Sequence, residues 1–71
     1  MVARKTWCGA PKEKDDFGAP ITNEFVDGAT RLGPWAIMNP DSFRLYGLGL
    51  GTGIGQRYVR EADDIFYKVG G

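Results

Sequence analysis

Histidine is absent from this sequence of 71 residues, and cysteine and serine occur once each, as Cys8 and Ser42. Each scarcity removes a class of chemistry. A lone cysteine forms no internal disulfide. Without histidine beside it, a structural zinc site lacks most of its ordinary ligands. Neither Cys8 nor Ser42 has an imidazole to activate it as a nucleophile, and the remaining residues assemble no acid–base pair. An enzyme is not expected, and no cofactor is implied. Apolar runs are only a few residues long, so no segment suits a membrane-spanning helix. The basic start Met1-Val2-Ala3-Arg4-Lys5 is not followed by the apolar core of a leader peptide. Lysine plus arginine and aspartate plus glutamate number nine each, for a formal net charge of zero. There is thus no global pull toward nucleic acid, although a local basic patch remains open. A single cysteine fits a reducing compartment, and the expectation is a soluble intracellular product.

What is present is aromatic and glycine-rich. Nine aromatic residues (Trp7, Phe17, Phe25, Trp35, Phe43, Tyr46, Tyr58, Phe66 and Tyr67) supply a large apolar payload for the size. A single folded domain over 1–71 is expected, with an irregular segment at 1–20 and a β-rich core at 21–71. At this length apolar burial and lost chain entropy nearly cancel. With neither disulfide nor metal available, a partner or a second copy of the chain is the expected source of extra stability.

Along the chain, Gly9-Ala10-Pro11 returns as Gly18-Ala19-Pro20, marking two similar turns with the charged stretch 12–16 as an exposed loop between them. Glu24-Phe25-Val26 is strand-like, and Asp27-Gly28 is a two-residue hairpin signal, with 29–32 as the returning arm. Gly33-Pro34 turns the chain into the apolar run Trp35-Ala36-Ile37-Met38, read as a buried strand. Asn39 then caps a short helix begun by Pro40 and ended at Gly47, with Phe43 and Tyr46 on one face. From Gly47 to Gly55 every second residue is glycine. As a strand this run has one bare face and one apolar face; otherwise it is a wide turn. A second hairpin follows, with arms at 57–61 and 65–69 and Ala62-Asp63-Asp64 at the turn.

The glycine run is not a phosphate loop. No Gly-x-Gly-x-x-Gly occurs in it, and no lysine follows its glycines as a nucleotide-binding loop requires. Its uses are structural, or a surface where a partner's backbone approaches Gly49, Gly51 and Gly53 closely. Arg57, Tyr58 and Arg60 interleave charge with an aromatic ring, and with Arg31 and Arg44 they form a candidate nucleic-acid face. Their alternative reading is a solvated strand with Tyr58 in the core. Asp15-Asp16 and Asp63-Asp64 lack calcium-loop spacing and read as solvated turns. Trp35 is either core or an interface anchor.

Three stretches together resemble a group of short, mostly uncharacterised bacteriophage proteins. They are Phe25-Val26-Asp27-Gly28-Ala29-Thr30, Gly33-Pro34-Trp35-Ala36-Ile37-Met38, and Gly47 to Tyr58, the latter reading Gly-Leu-Gly-Leu-Gly-Thr-Gly-Ile-Gly-Gln-Arg-Tyr. That group looks like small zinc ribbons, with one Cys-x-x-Cys pair before the Phe-x-Asp-Gly stretch and another after the Met. Here the second pair falls on Asn39 and Ser42. The first falls on Lys5 and Cys8, or on Lys14 and Phe17. Either way the resemblance implies a ribbon that has lost its zinc, with aromatic side chains filling the space.

The resulting expectation is a small β-rich (α+β) domain of two β-hairpins and one short helix, zinc-ribbon-like without metal. The expected role is non-enzymatic. The protein would bind a larger protein, as an inhibitor of a host factor or as a virion accessory, in the host bacterial cytoplasm or the virion. The candidate contact residues are Trp35, Tyr46, Arg57, Tyr58, Arg60, Gly49, Gly51 and Gly53. The alternative is a small nucleic-acid-binding accessory using Arg31, Arg44, Arg57 and Arg60.

Overall fold

The computed structural model describes residues 5–7 and 13–71. Cys8 and the first Gly-Ala-Pro turn lie outside the described residues. Four strands, β1 (Glu24–Ala29), β2 (Trp35–Met38), β3 (Gly55–Arg60) and β4 (Phe66–Gly70), form one antiparallel sheet. Their spatial order is β2-β1-β3-β4, and helix α1 (Pro40–Tyr46) connects β2 to β3. Two hairpins, β1–β2 and β3–β4, are joined through β1–β3 pairing into one open sheet; the second is the expected one, whereas the first pairs β1 with Trp35–Met38 and not with 29–32.

Strand β1 sits inside that sheet, so its neighbours on both faces are covered. Phe25 and Val26 are consecutive, point to opposite faces, and are only 2% and 4% exposed. On the Phe25 face, Ile21, Ile37, Tyr58 and Phe66 form one cluster, capped by Trp7. Phe25 stacks on Tyr58 at 5.2 Å between ring centroids, and Trp7 meets both edge-on at 5.1 and 5.6 Å. On the opposite face Val26, Ala36 and Met38 lie beneath Phe43 and Tyr46 of the helix.

The helix follows its sequence signals. The Asn39 side chain accepts from the Ser42 amide, Pro40 occupies the first turn, and the Gly47 amide donates to the Phe43 carbonyl. With seven residues, α1 has no intrinsic stability to spare. Its place is fixed by Phe43 and Tyr46 packing on the sheet.

Two expectations are corrected, and one open alternative is decided. Asp27-Gly28 is not a turn: both residues belong to β1, and the chain reverses at Thr30–Pro34. There Thr30 Oγ1 donates to the Pro34 carbonyl and accepts from the Leu32 amide. Gly28 answers a different need. A Cβ at that position would sit 2.9 Å from both Gly55 Cα and the Ile54 carbonyl oxygen, so glycine permits close backbone approach across the sheet. The glycine run is the wide turn and not a strand. Gly49, Gly51 and Gly53 have φ of 144°, 148° and 78°, and Gly51 bridges to Gly55 around Thr52-Gly53-Ile54. The alternation thus places glycine where the backbone is left-handed. Finally, the charged stretch before Gly18 is not wholly a solvated loop, because Asp15 is buried at 6% exposure.

Both sheet edges are occupied. Outside β4, the Trp7 amide donates to the Phe66 carbonyl and the Lys68 amide to the Lys5 carbonyl, each at 2.9 Å. Outside β2, the Asp16 amide donates to the Ile37 carbonyl at 3.0 Å, and Asp16 Oδ2 accepts from the Ile37 amide at 2.7 Å. These contacts protect strands that would otherwise invite edge-to-edge pairing.

Candidate interaction surface

The turn containing Lys14 to Phe17 and the start of α1 at Asn39 to Ser42 meet in space. The turn from Glu13 to Ile21 closes on itself through Asp15 amide to Ala19 carbonyl and Ile21 amide to Glu13 carbonyl bonds. It lies against the start of α1, and Phe17 stacks on Tyr46 with centroids 4.3 Å apart. At the junction is the Asp15 carboxylate. Its Oδ1 accepts from the Phe17 and Ala19 amides at 2.9 and 2.8 Å, and its Oδ2 from the Asn39 amide at 2.9 Å. The Ser42 hydroxyl also donates to it. Asn39 Nδ2 adds a bond to the Pro20 carbonyl at 3.1 Å. Burial pushes the Asp15 carboxyl up, but the donors from Asn39, Ser42, Ala19 and Phe17 outweigh it and hold the group below its ordinary range. Among the described residues, no group of three or more His, Cys, Asp or Glu side chains could hold a metal ion.

The junction itself is closed. The open surface lies at the other end of β1 and β2. Trp35 begins β2 with 49% of its surface exposed, although Ala36, Ile37 and Met38 after it are buried. Its indole is nevertheless fixed, because Nε1 donates to Asp27 Oδ1 at 2.9 Å. Asp27 and Trp35 share one face of the sheet by strand parity, since Ala29 pairs with Trp35 and Asp27 with Ile37. Leu32, in the adjoining turn, is 61% exposed. Nearby, the Ala29 amide donates to the Ile54 carbonyl and the Leu48 amide to the Ala29 carbonyl, which anchors the glycine turn at this end of β1. Leu48, Leu50 and Ile54 alternate with its glycines and are 60%, 43% and 42% exposed.

The candidate residues do not form one surface. Tyr58 is 6% exposed within the aromatic stack. Tyr46 is half-buried against Phe17. Strand parity sends Arg57 to the helix side of the sheet and Tyr58 and Arg60 to the other. Arg57 pairs with Glu24, and its Nε lies 2.7 Å from Glu24 Oε2. Arg60 lies over the Phe66 ring at 4.9 Å and 3.8 Å from Asp64. Arg44 pairs with Asp41 on the helix, and Arg31 occupies the β1–β2 turn. Arg44 and Arg57 do flank a groove of about 360 Å³ with a floor of Val26, Pro40 and Phe43. The four arginines are otherwise divided between faces, and three of them are matched by carboxylates.

The sequence points to Trp35 as a contact but not to its partner Asp27, for which it predicts a turn. Nor does it predict the burial of Asp15. The signal for Asp15 was local: Asp followed at the second and fourth positions by amides in a Gly-containing turn is an arrangement in which a carboxylate caps its own loop.

The fold is that of a small open antiparallel sheet carrying one short helix, whose most exposed fixed ring is Trp35. Comparison with models of known protein families, with curated proteins and with solved structures finds no match to this chain. No helix among the described residues is long and apolar enough to cross a membrane.

Proposed function

We propose that this protein is a non-enzymatic interaction protein of the bacteriophage type, which acts by occupying a surface of a larger protein. The partner is a host factor that it inhibits or a virion component that it decorates. The observation that carries the binding role is the exposed Trp35 ring, held in place by the Asp27 hydrogen bond. A tryptophan fixed before binding loses little side-chain freedom on association, and tryptophan is over-represented among residues that dominate interface energetics. Leu32 and the leucines of the glycine turn extend the apolar character at the same end of the sheet. The phage assignment rests on the residue resemblance between Phe25 and Tyr58. Division of the arginines between two faces weighs against a continuous phosphate-binding stripe.

The test is affinity capture from a bacterial host lysate with the native chain and with Trp35→Ala in parallel, partners being identified by mass spectrometry. The native chain is expected to retain a protein that the variant loses. Capture by both alike overturns the Trp35 surface. Binding to single- or double-stranded DNA that weakens steeply with salt overturns the protein-binding role.

A further inference from the structure

Asp27 differs from most carboxylates of the described residues in what balances it. Glu24, Asp41 and Asp64 each face an arginine. Asp15 is surrounded by donors, and Asp16 receives the Ile37 amide. Asp27 is one of the three residues at the centre of β1 that pair with β2 and β3 together, and its partner is the exposed indole of Trp35. Among the described residues no cation forms an ion pair with it. A neutral indole N–H satisfies one carboxylate oxygen but leaves the negative charge in place. The carboxylate meets Trp35 at the N–H edge of the indole, and the π cloud of that half-exposed ring is itself attractive to cations.

We infer that the Trp35 surface receives a basic side chain of the partner, an arginine or lysine lying across the indole with its charged end at Asp27. This rests on the protein-binding role proposed above and names the chemistry of the partner at that site. Two elements on one sheet face act together. The ring supplies apolar area and its electrostatic face for the stem and cation. The carboxylate supplies the countercharge. Arginine suits this pairing best, because a planar guanidinium stacks on an aromatic ring and donates in the same plane. The Nε1–Oδ1 bond fixes the spacing of ring and carboxylate before the partner arrives.

The experiment is a titration of the full chain with N-acetyl-arginine amide, followed through the two indole Nε1–H resonances. Trp7, in the aromatic stack, is the internal control. N-acetyl-citrulline amide, which keeps the shape without the charge, is the comparison probe. The arginine amide is expected to shift the Trp35 resonance in a saturable way and leave Trp7 unmoved. The citrulline amide is expected to do so much more weakly. Asp27→Asn keeps an acceptor for the indole and removes the charge, so it should weaken the arginine amide roughly fivefold, as expected for one exposed charge pair. Equal shifts from both probes, or an unchanged response in Asp27→Asn, overturn the inference. The lysate capture separates it from the broader role. A partner lost with Trp35→Ala but kept by Asp27→Asn leaves the protein-binding surface standing and refutes the basic side chain.

Discussion

Asp15 and Asp27 are both aspartates held by hydrogen bonds, yet they stand at opposite limits of what a carboxylate does in a small domain. Asp15 is buried, and backbone amides from two separate segments, with the Ser42 hydroxyl, converge on it. It joins the turn before β1 to the start of α1. Asp27 is half-buried at the centre of β1, and among the described residues a single indole N–H reaches it. The difference lies in what each would leave behind. Removing Asp15 strands buried donors, whereas removing Asp27 frees one exposed N–H that water can satisfy. A buried polar group left without its partner costs far more than the net gain from the bond when formed. One carboxylate is therefore built into the fold, and the other is fixed by it and presented outward.

The largest expected effect comes from breaking the first of these. Asp15→Ala should destabilise the domain by about 3 kcal/mol or more, the range for leaving buried donors and a buried network uncompensated. Against a total stability of roughly 5 kcal/mol for a domain of this size, much of the folded population would be lost at moderate denaturant. Urea melts of the native chain and the variant measure this directly. A loss under about 1 kcal/mol would mean that the turn and helix are held mainly by the other contacts of the junction, Phe17 stacking on Tyr46 and the Asn39 bond to the Pro20 carbonyl.

A subtler intervention sharpens the same contrast by changing only the charge. The folded-state Asp15 carboxyl lies below its ordinary value of 3.8. Its contribution is therefore fully present above the unfolded-state value and is lost as pH falls through the folded-state one. Stability of the native chain should decline below about pH 4, and part of that decline should be missing in Asp15→Asn. Denaturation profiles across acid pH, collected for both proteins, provide the check. Parallel profiles would show that other carboxylates govern acid sensitivity.

How far these two regions were legible in the sequence follows from the range of the interactions involved. The helix was read to within a residue because its signals are local: Asn39, Pro40 and Gly47 act on backbone groups a few positions away. The strand pair at the C-terminal end was also clear, since alternation and the Ala62-Asp63-Asp64 turn lie within one hairpin. Asp27-Gly28 misled because its local preference for a turn was overridden by long-range packing. Gly55 at the start of β3 and Ile54 in the turn before it approach from nearly thirty residues later, and only the folded sheet reveals why glycine is needed there. For Asp15 the local turn is legible in the sequence, but its burial is not, because that depends on the donors brought by Asn39 and Ser42. Trp35 posed the converse problem. An apolar run identifies a strand but does not say which of its residues reaches past the covered part of the sheet.

The smallest effect on stability is expected at Trp35, and that smallness is what separates it from Asp15. About half of the ring is already in water, and it belongs to neither apolar cluster. Trp35→Ala removes one exposed hydrogen bond and the area that the ring buries on its own strand neighbours. Its cost should therefore stay near 1 kcal/mol, well below the 3–5 kcal/mol typical of an aromatic removed from a core. Asp27→Asn should cost still less, because an amide oxygen remains to accept from the indole. Thermal melts of both variants beside the native chain make the comparison. If Trp35→Ala unfolds the domain as readily as Asp15→Ala, the ring is structural after all, and its exposure reflects a core too small to enclose it. If it leaves the melt almost unchanged, a large apolar side chain is being held rigid in water with little return in folding stability. That leaves recognition as the physical reason for fixing it there.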